Sequence, residues 1–270
     1  MNRLLLLAAF WSLAGCFFTN AEGRTAMGFM PDSTLNAQSV DAFGEEKKKV
    51  PISRNARHTA MVQRVGRDLI AQAQLHYGSY CKGFEWEVVL FEQPQTVNAY
   101  CMPGGKIGIF SGILPVCENE AALAAVMGHE IAHALLRHGN ERVSQQLGFV
   151  ACITCVGIGL NQTSLSSDAK KIVLAGAGLG GQYGLILPFS RSHESEADVM
   201  GLKLMARAGY DPAEAPHLWR RMQQHGGGGP PEFLSTHPSH ETRIADLESR
   251  QSEVAPLYQA SPQRGLGDKF

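Results

Sequence analysis

His129-Glu130-Ile131-Ala132-His133 stands inside a stretch with few helix breakers, residues 118–146, and its reading decides the rest of the chain. Residues four apart on an α-helix lie about 40° apart around the axis, so both imidazoles project from one face. Two ligands of one tetrahedral zinc ion need that arrangement. Glu130 lies about 100° round from His129, where it can contact a water at such a metal without being a ligand. With 10 His and 17 Glu in 270 residues, the pattern arises by accident roughly 0.02 times in a chain of this composition. The good helix formers from Ala121 to Leu136 add to the metal reading. The competing reading is a surface helix with two structural histidines.

The third ligand separates the zinc enzyme classes. A metzincin needs Gly at position 136 and His at 139; here they are Leu136 and Gly139, which excludes that class. On a continuous helix His138 lies about 140° from His133, off the ligand face. The other common solution is a Glu from a later helix. Ser190-Arg191-Ser192-His193-Glu194-Ser195-Glu196-Ala197-Asp198 supplies one. Glu194 and Asp198 are four apart and share a face, so Glu194 can ligate while Asp198 hydrogen-bonds the back of a ligating imidazole. Glu196 points away and is expected in solvent; His193 is a weaker ligand candidate.

Outward from these two segments, residues 55–74 carry Met61, Val62, Val65, Leu69, Ile70 and Ala73 at helical spacing. Residues 84–91, 96–102 and 106–110 read as strands, the last two joined by Pro103-Gly104-Gly105. Further helices are expected at 193–208, 213–225 and 239–250, with a frayed tail after Glu253. Helices and a few grouped strands make an α+β, mostly helical chain with a small three-stranded sheet. Residues 149–160 and 172–189 are apolar and glycine-rich. They read as a helical hairpin over 149–189 that covers the active site or touches a membrane surface, with a transmembrane pair as the alternative. The run Gly226–Gly229 reads as a hinge before His237.

Several motifs in register resemble the Oma/Ste/HtpX-type zinc metallopeptidases, the group that includes the CAAX prenyl proteases. They are His129 to His133, the segment from Ser190 to Asp198, Asn98-Ala99-Tyr100-Cys101-Met102-Pro103-Gly104-Gly105-Lys106-Ile107, and Thr236-His237-Pro238 followed by Arg243-Ile244. The similarity spans roughly residues 55–250. It implies a zincin-like domain whose edge strand borders the active-site cleft. It also implies one zinc per chain on His129, His133 and Glu194, Glu130 as base, Asp198 behind a ligand, and His237 and Arg243 as catalytic donors. His237 could instead take the fourth zinc position in a resting state. Substrate is expected as an extended strand beside Asn98, Ala99 and Tyr100, although this stretch could be an ordinary internal strand.

Lys plus Arg is 24 against 25 Asp plus Glu, so the chain lacks the basic surplus of a nucleic-acid binder. Hydrophobic residues at 44% with charged residues at 18% place it among globular proteins. Arg3, the apolar run 4–11 and Leu13-Ala14-Gly15-Cys16 have the shape of a lipoprotein signal, removed before a lipidated Cys16. The alternative is a plain signal peptide cleaved near Ala21. The expected organisation is a signal at 1–15, a tether or loose arm at 16–50, a metallopeptidase domain at 51–255 and a tail at 256–270. Phe17 after the cysteine resembles an outer-membrane address, giving a lipid-anchored protein on the periplasmic face. Cys101 could pair there with Cys81 or Cys117, and Cys152 and Cys155 form a CxxC. The expected activity is zinc endopeptidase action on unfolded or misassembled envelope polypeptides. The alternative is a noncatalytic, chaperone-like assembly factor using the same groove.

Overall fold

A computed structural model describes residues 17–161, 164, 166–170, 190–225, 232–237 and 241–265. The signal region with Cys16, the glycine run 226–229, Pro238 and the apolar stretch 172–189 lie outside the described residues. The chain folds as two compact units, one from 1–31 with 140–188, the other from 32–139 with 189–270.

In the first unit, β1 (Phe17–Thr19) and β2 (Thr25–Met27) form an antiparallel hairpin. Its turn is held by Asn20 Oδ1, which accepts from the amides of Glu22 and Arg24. Arg24 grips Glu141 with both ends of its guanidinium, at 3.2 and 2.8 Å. The Phe29 amide donates to Ser144 Oγ at 2.6 Å, and Asn140 to the Met30 carbonyl at 2.8 Å. Among the described residues no helix is long and apolar enough to cross a membrane.

The second unit is built around one buried helix. It contains α1 (Asp32–Lys49), α2 (Ala56–Tyr77), β3 (Glu87–Phe91), β4 (Ala99–Met102), β5 (Lys106–Phe110), α3 (Leu114–Cys117) and α4 (Glu120–Leu135). From Asn140 on, α5 (His138–Asn161) belongs to the first unit; the second resumes with α6 (Arg191–Arg207), α7 (Glu214–Gln224), α8 (Glu232–Thr236), α9 (Glu241–Ser249) and α10 (Gln251–Gln259). The sheet runs β3-β5-β4, with β3 parallel and β4 antiparallel to β5. The Pro103-Gly104-Gly105 turn works because both glycines take positive φ, +82° and +85°. Every residue of α4 is buried, as expected of a helix apolar all round. This removes the surface-helix reading of the His-Glu-x-x-His segment.

Three elements differ from expectation. Residues 16–50 are not a loose arm throughout: α1 sets Phe43 into a cluster with Val89, Phe91 and Phe110 on one face of the sheet. The helix expected over 118–146 is two helices and a preceding turn. Asn119 caps α4 by accepting from the Ala122 amide, and the helix is broken at Arg137, which takes φ +60°. The tail expected to fray after Glu253 forms α10, anchored by Val254, which is 1% exposed.

The ligand-bearing helices α4 and α6 touch backbone to backbone. A Cβ on Gly128 would meet the Gly201 carbonyl oxygen at 3.0 Å, and one on Gly201 would meet the His129 amide nitrogen at 2.8 Å. Neither obstacle is the end of a flexible side chain, so an added methyl must push the helices apart. We expect Gly201→Ala to lower stability by about 1–3 kcal/mol in urea denaturation. Gly44→Ala, in α1 with nothing within 4 Å of the added carbon, should hold or raise it. Equal stabilities for the two variants would contradict the close crossing.

Candidate metal centre

The α4 register aims the His129 and His133 rings at one point, and α6 delivers Glu194 to it. The two Nε2 atoms are 3.0 Å apart. Glu194 Oε2 lies 3.4 Å from His129 Nε2, and its Oε1 lies 3.4 Å from His133 Nε2. His237, at the end of α8, joins them: its Nδ1 is 3.1 Å from Glu194 Oε1 and 3.3 Å from His129 Nε2. The four ligand atoms lie within 4.8 Å of one another and all four residues are buried.

This set fits a zinc ion. Tetrahedral bonds of about 2.0–2.1 Å put neighbouring ligand atoms about 3.3 Å apart, close to the separations found. Charge points the same way. Glu130, Glu194 and Asp198 are buried, while Arg243 is the buried cation among them, leaving an excess of two negative charges when the histidines are neutral. Uncompensated buried charge costs several kcal/mol per ion, and a divalent cation cancels this excess. Glu130 Oε1 is buried without a hydrogen bond, with His237 Nε2 at 3.5 Å, so it faces the group with an unused acceptor.

Each ligand is braced from behind. Asp198 Oδ1 is 3.0 Å from His129 Nδ1. The same carboxylate takes two hydrogen bonds from Arg243, at 2.5 and 2.8 Å. Arg243 Nη1 is also 2.8 Å from Glu194 Oε2, as a close ion pair rather than an aligned hydrogen bond. Its guanidinium lies over the Trp219 ring at 3.6 Å. Phe233 stacks on His237, centroids 4.6 Å apart.

The same balances set the protonation equilibria. Burial raises the Glu130 carboxyl, with His237 and His129 opposing. Burial drives His133 well below the usual imidazole value. Burial and Arg243 would lower His129 too, but Asp198 and Glu194 hold it up at about 9. For Glu194 and Asp198, burial is overcome: by the three histidines for the first and by Arg243 and His129 for the second, so both stay low.

Two residues excluded from the ligand face matter here. His138 is fully buried and places Nδ1 2.9 Å from His133 Nδ1. Its position follows from the break at Arg137, which no glycine or proline announces. Glu196, expected in solvent, instead meets His138 Nε2 at 3.2 Å. His193 is outside the ligand group and stacks on His138, centroids 4.3 Å apart.

The strand residues divide by face. The Tyr100 side chain turns away from α4 into the Phe43–Phe110 cluster, and its hydroxyl donates to Glu46. Asn98 accepts from the Ala99 amide and donates to Glu232 at 3.2 Å. The Phe110 amide bonds the Asn98 carbonyl. The antiparallel alternation then points the main-chain groups of Val97, Ala99 and Cys101 to the outer edge, and Phe233 N–H donates to the Val97 carbonyl there. Cys81, Cys101 and Cys117 are free thiols, so the disulfide considered from sequence is not formed.

The chain belongs to Peptidase family M48, whose model matches residues 56–251. It is similar to the mitochondrial metalloendopeptidase OMA1 of Schizosaccharomyces pombe, 38% identical over 193 residues, covering 70% of this chain and 52% of that protein. It is also similar to the beta-barrel assembly-enhancing proteases of Yersinia pestis (29% over 253 residues; 90% and 50% covered) and Escherichia coli K12 (28% over 254 residues; 91% and 50%). The chain thus spans about half the length of the curated relatives it matches.

If Asp198 orients His129, Asp198→Asn should weaken zinc binding about 10–100-fold in competition with a chromophoric chelator. Unchanged affinity would remove that role.

Proposed function

We propose that this protein is a zinc-dependent endopeptidase that cleaves misfolded or misassembled proteins of the cell envelope. The observation that carries the reading is the convergence of His129, His133 and Glu194 beside Glu130 in a chain of Peptidase family M48. Those three residues would hold the ion. Bound there, zinc supplies a Lewis acid that polarises the scissile carbonyl and lowers the pKa of a water. Glu130 accepts the proton of the attacking water and returns it to the leaving amine; its burial, which raises its pKa, makes it a stronger base. Asp198 keeps the His129 proton on Nδ1 and Nε2 free to donate its lone pair. Arg243, paired with Asp198 and Glu194, braces these carboxylates, and we read this as its role beside that of transition-state donor.

Glu130→Gln should keep about one zinc per chain and lose casein cleavage by 10²–10⁴-fold, and chelation should abolish the wild-type activity. Undiminished cleavage by the glutamine variant would remove the assigned base. A variant that still supports envelope assembly without cleavage would favour the chaperone-like alternative.

For His237 we favour the resting-state reading. Its Nδ1 stands within the donor group, and Phe233, four residues earlier, is bonded to Val97 on the outer edge. An extended substrate pairing with Ala99 and Cys101 would compete for that edge. His237→Ala should therefore retain zinc and raise casein cleavage, whereas a fall of tenfold or more would assign His237 to the transition state.

The envelope substrate class is supported by similarity to the beta-barrel assembly-enhancing proteases across nine-tenths of the chain. Leu13-Ala14-Gly15-Cys16 supports a lipid anchor on the periplasmic face of the outer membrane. Mass spectrometry of protein from native membranes should find an acylated Cys16 at the N-terminus; an unmodified start near Glu22 would refute the anchor.

A further inference from the structure

We propose that His138 and Glu196 are positioning residues that fix the ring of His133 toward the metal. The inference rests on the metallopeptidase reading above. His133 Nε2 faces the donor group, 3.0 Å from His129 Nε2 and 3.4 Å from Glu194 Oε1. Its Nδ1 therefore looks away, and it meets His138 Nδ1 at 2.9 Å. His138 Nε2 meets Glu196 Oε2 at 3.2 Å.

The proton order in this chain is forced. For Nε2 of His133 to offer its lone pair, Nδ1 must carry the hydrogen and donate it. His138 Nδ1 must then accept, which puts the hydrogen of His138 on Nε2, and Glu196 accepts it. The reverse order would protonate His133 on Nε2, the side that faces Glu194, and close it to a metal. The carboxylate of Glu196, which can only accept when ionised, selects the productive order.

The fold makes a specific provision for this contact. On an unbroken helix His138 would lie about 140° from His133. Arg137 at φ +60° ends α4 and brings His138 back behind the ligand. A non-glycine residue in that region is strained and persists where the surroundings over-determine it. The Arg137 guanidinium is held by Asp32 at 2.5 Å. The His138 ring is clamped between His133, edge-on at 4.9 Å, and His193, stacked at 4.3 Å. His129 is thus braced directly by a carboxylate, and His133 by a carboxylate acting through one imidazole.

The test uses the purified full chain, with zinc affinity from chelator competition and the visible absorption of the cobalt(II)-substituted protein as readouts. His138→Leu removes the acceptor, while in His138→Asn the amide oxygen replaces Nδ1. We expect His138→Leu to bind zinc 10–100-fold more weakly with an altered cobalt spectrum, and His138→Asn to recover most of the loss. Glu196→Ala, at a partly exposed position, should show a smaller loss in the same direction, and Glu196→Gln less again. A merely structural role would lower the melting temperature of the metal-free chain without moving affinity or spectrum, and that result overturns the proposal. So does equal impairment of the asparagine and leucine variants. A wild-type chain that binds no zinc overturns the metallopeptidase reading itself, and this inference with it.

Discussion

The contact of Gly128 with Gly201 sets the scale of everything around it. α4 carries both histidines and Glu130; α6 carries Glu194, Asp198 and Glu196. With no Cβ between them, the helices cross so closely that a carbon added to either glycine would stand about 3 Å from the backbone of the other helix. That brings a short glutamate from one helix to the ring nitrogens of the other. The same crossing lets Asp198, one turn along from Glu194, reach the rear of His129. A methyl group at either glycine would press on the facing backbone beside a site in which a misplacement of about 0.5 Å already matters.

Around that crossing the site is organised as a charge balance among buried groups. Three carboxylates, one guanidinium and five imidazoles, those of His129, His133, His138, His193 and His237, are buried, a combination that is costly unless each group is paired. Arg243 pairs two of the carboxylates from one side while lying on Trp219. Glu130 keeps an oxygen without a hydrogen bond, where a proton acceptor has to remain available. The centre fits a divalent cation, which would cancel its excess of buried negative charge. The first compact unit fastens its own hairpin through Arg24 and Glu141.

Much of this was readable from residue spacing. His129 and His133, and Glu194 and Asp198, each lie four apart, and a helix turns that spacing into a shared face without help from the rest of the chain. The three strands were marked by β-branched residues and the Pro-Gly-Gly turn. What stayed hidden depends on tertiary context. Arg137 breaks the helix in a conformation that sequence assigns to glycine or asparagine, so His138 was placed on the wrong side and Glu196 left in solvent. α1 buries only Leu35, Ser39 and Phe43, too thin a stripe to separate from a charged tether. Gly128 and Gly201 look ordinary until two helices meet at them.

The central claim is that α4 and α6 together form one zinc site. Anomalous diffraction at the zinc edge from crystals of the zinc-loaded full chain tests it most directly. The account predicts a single strong peak bonded to His129 Nε2, His133 Nε2 and a Glu194 carboxylate oxygen, at about 2.0–2.2 Å, with Glu130 outside bonding distance. A peak elsewhere, or no peak in zinc-saturated protein, would contradict it.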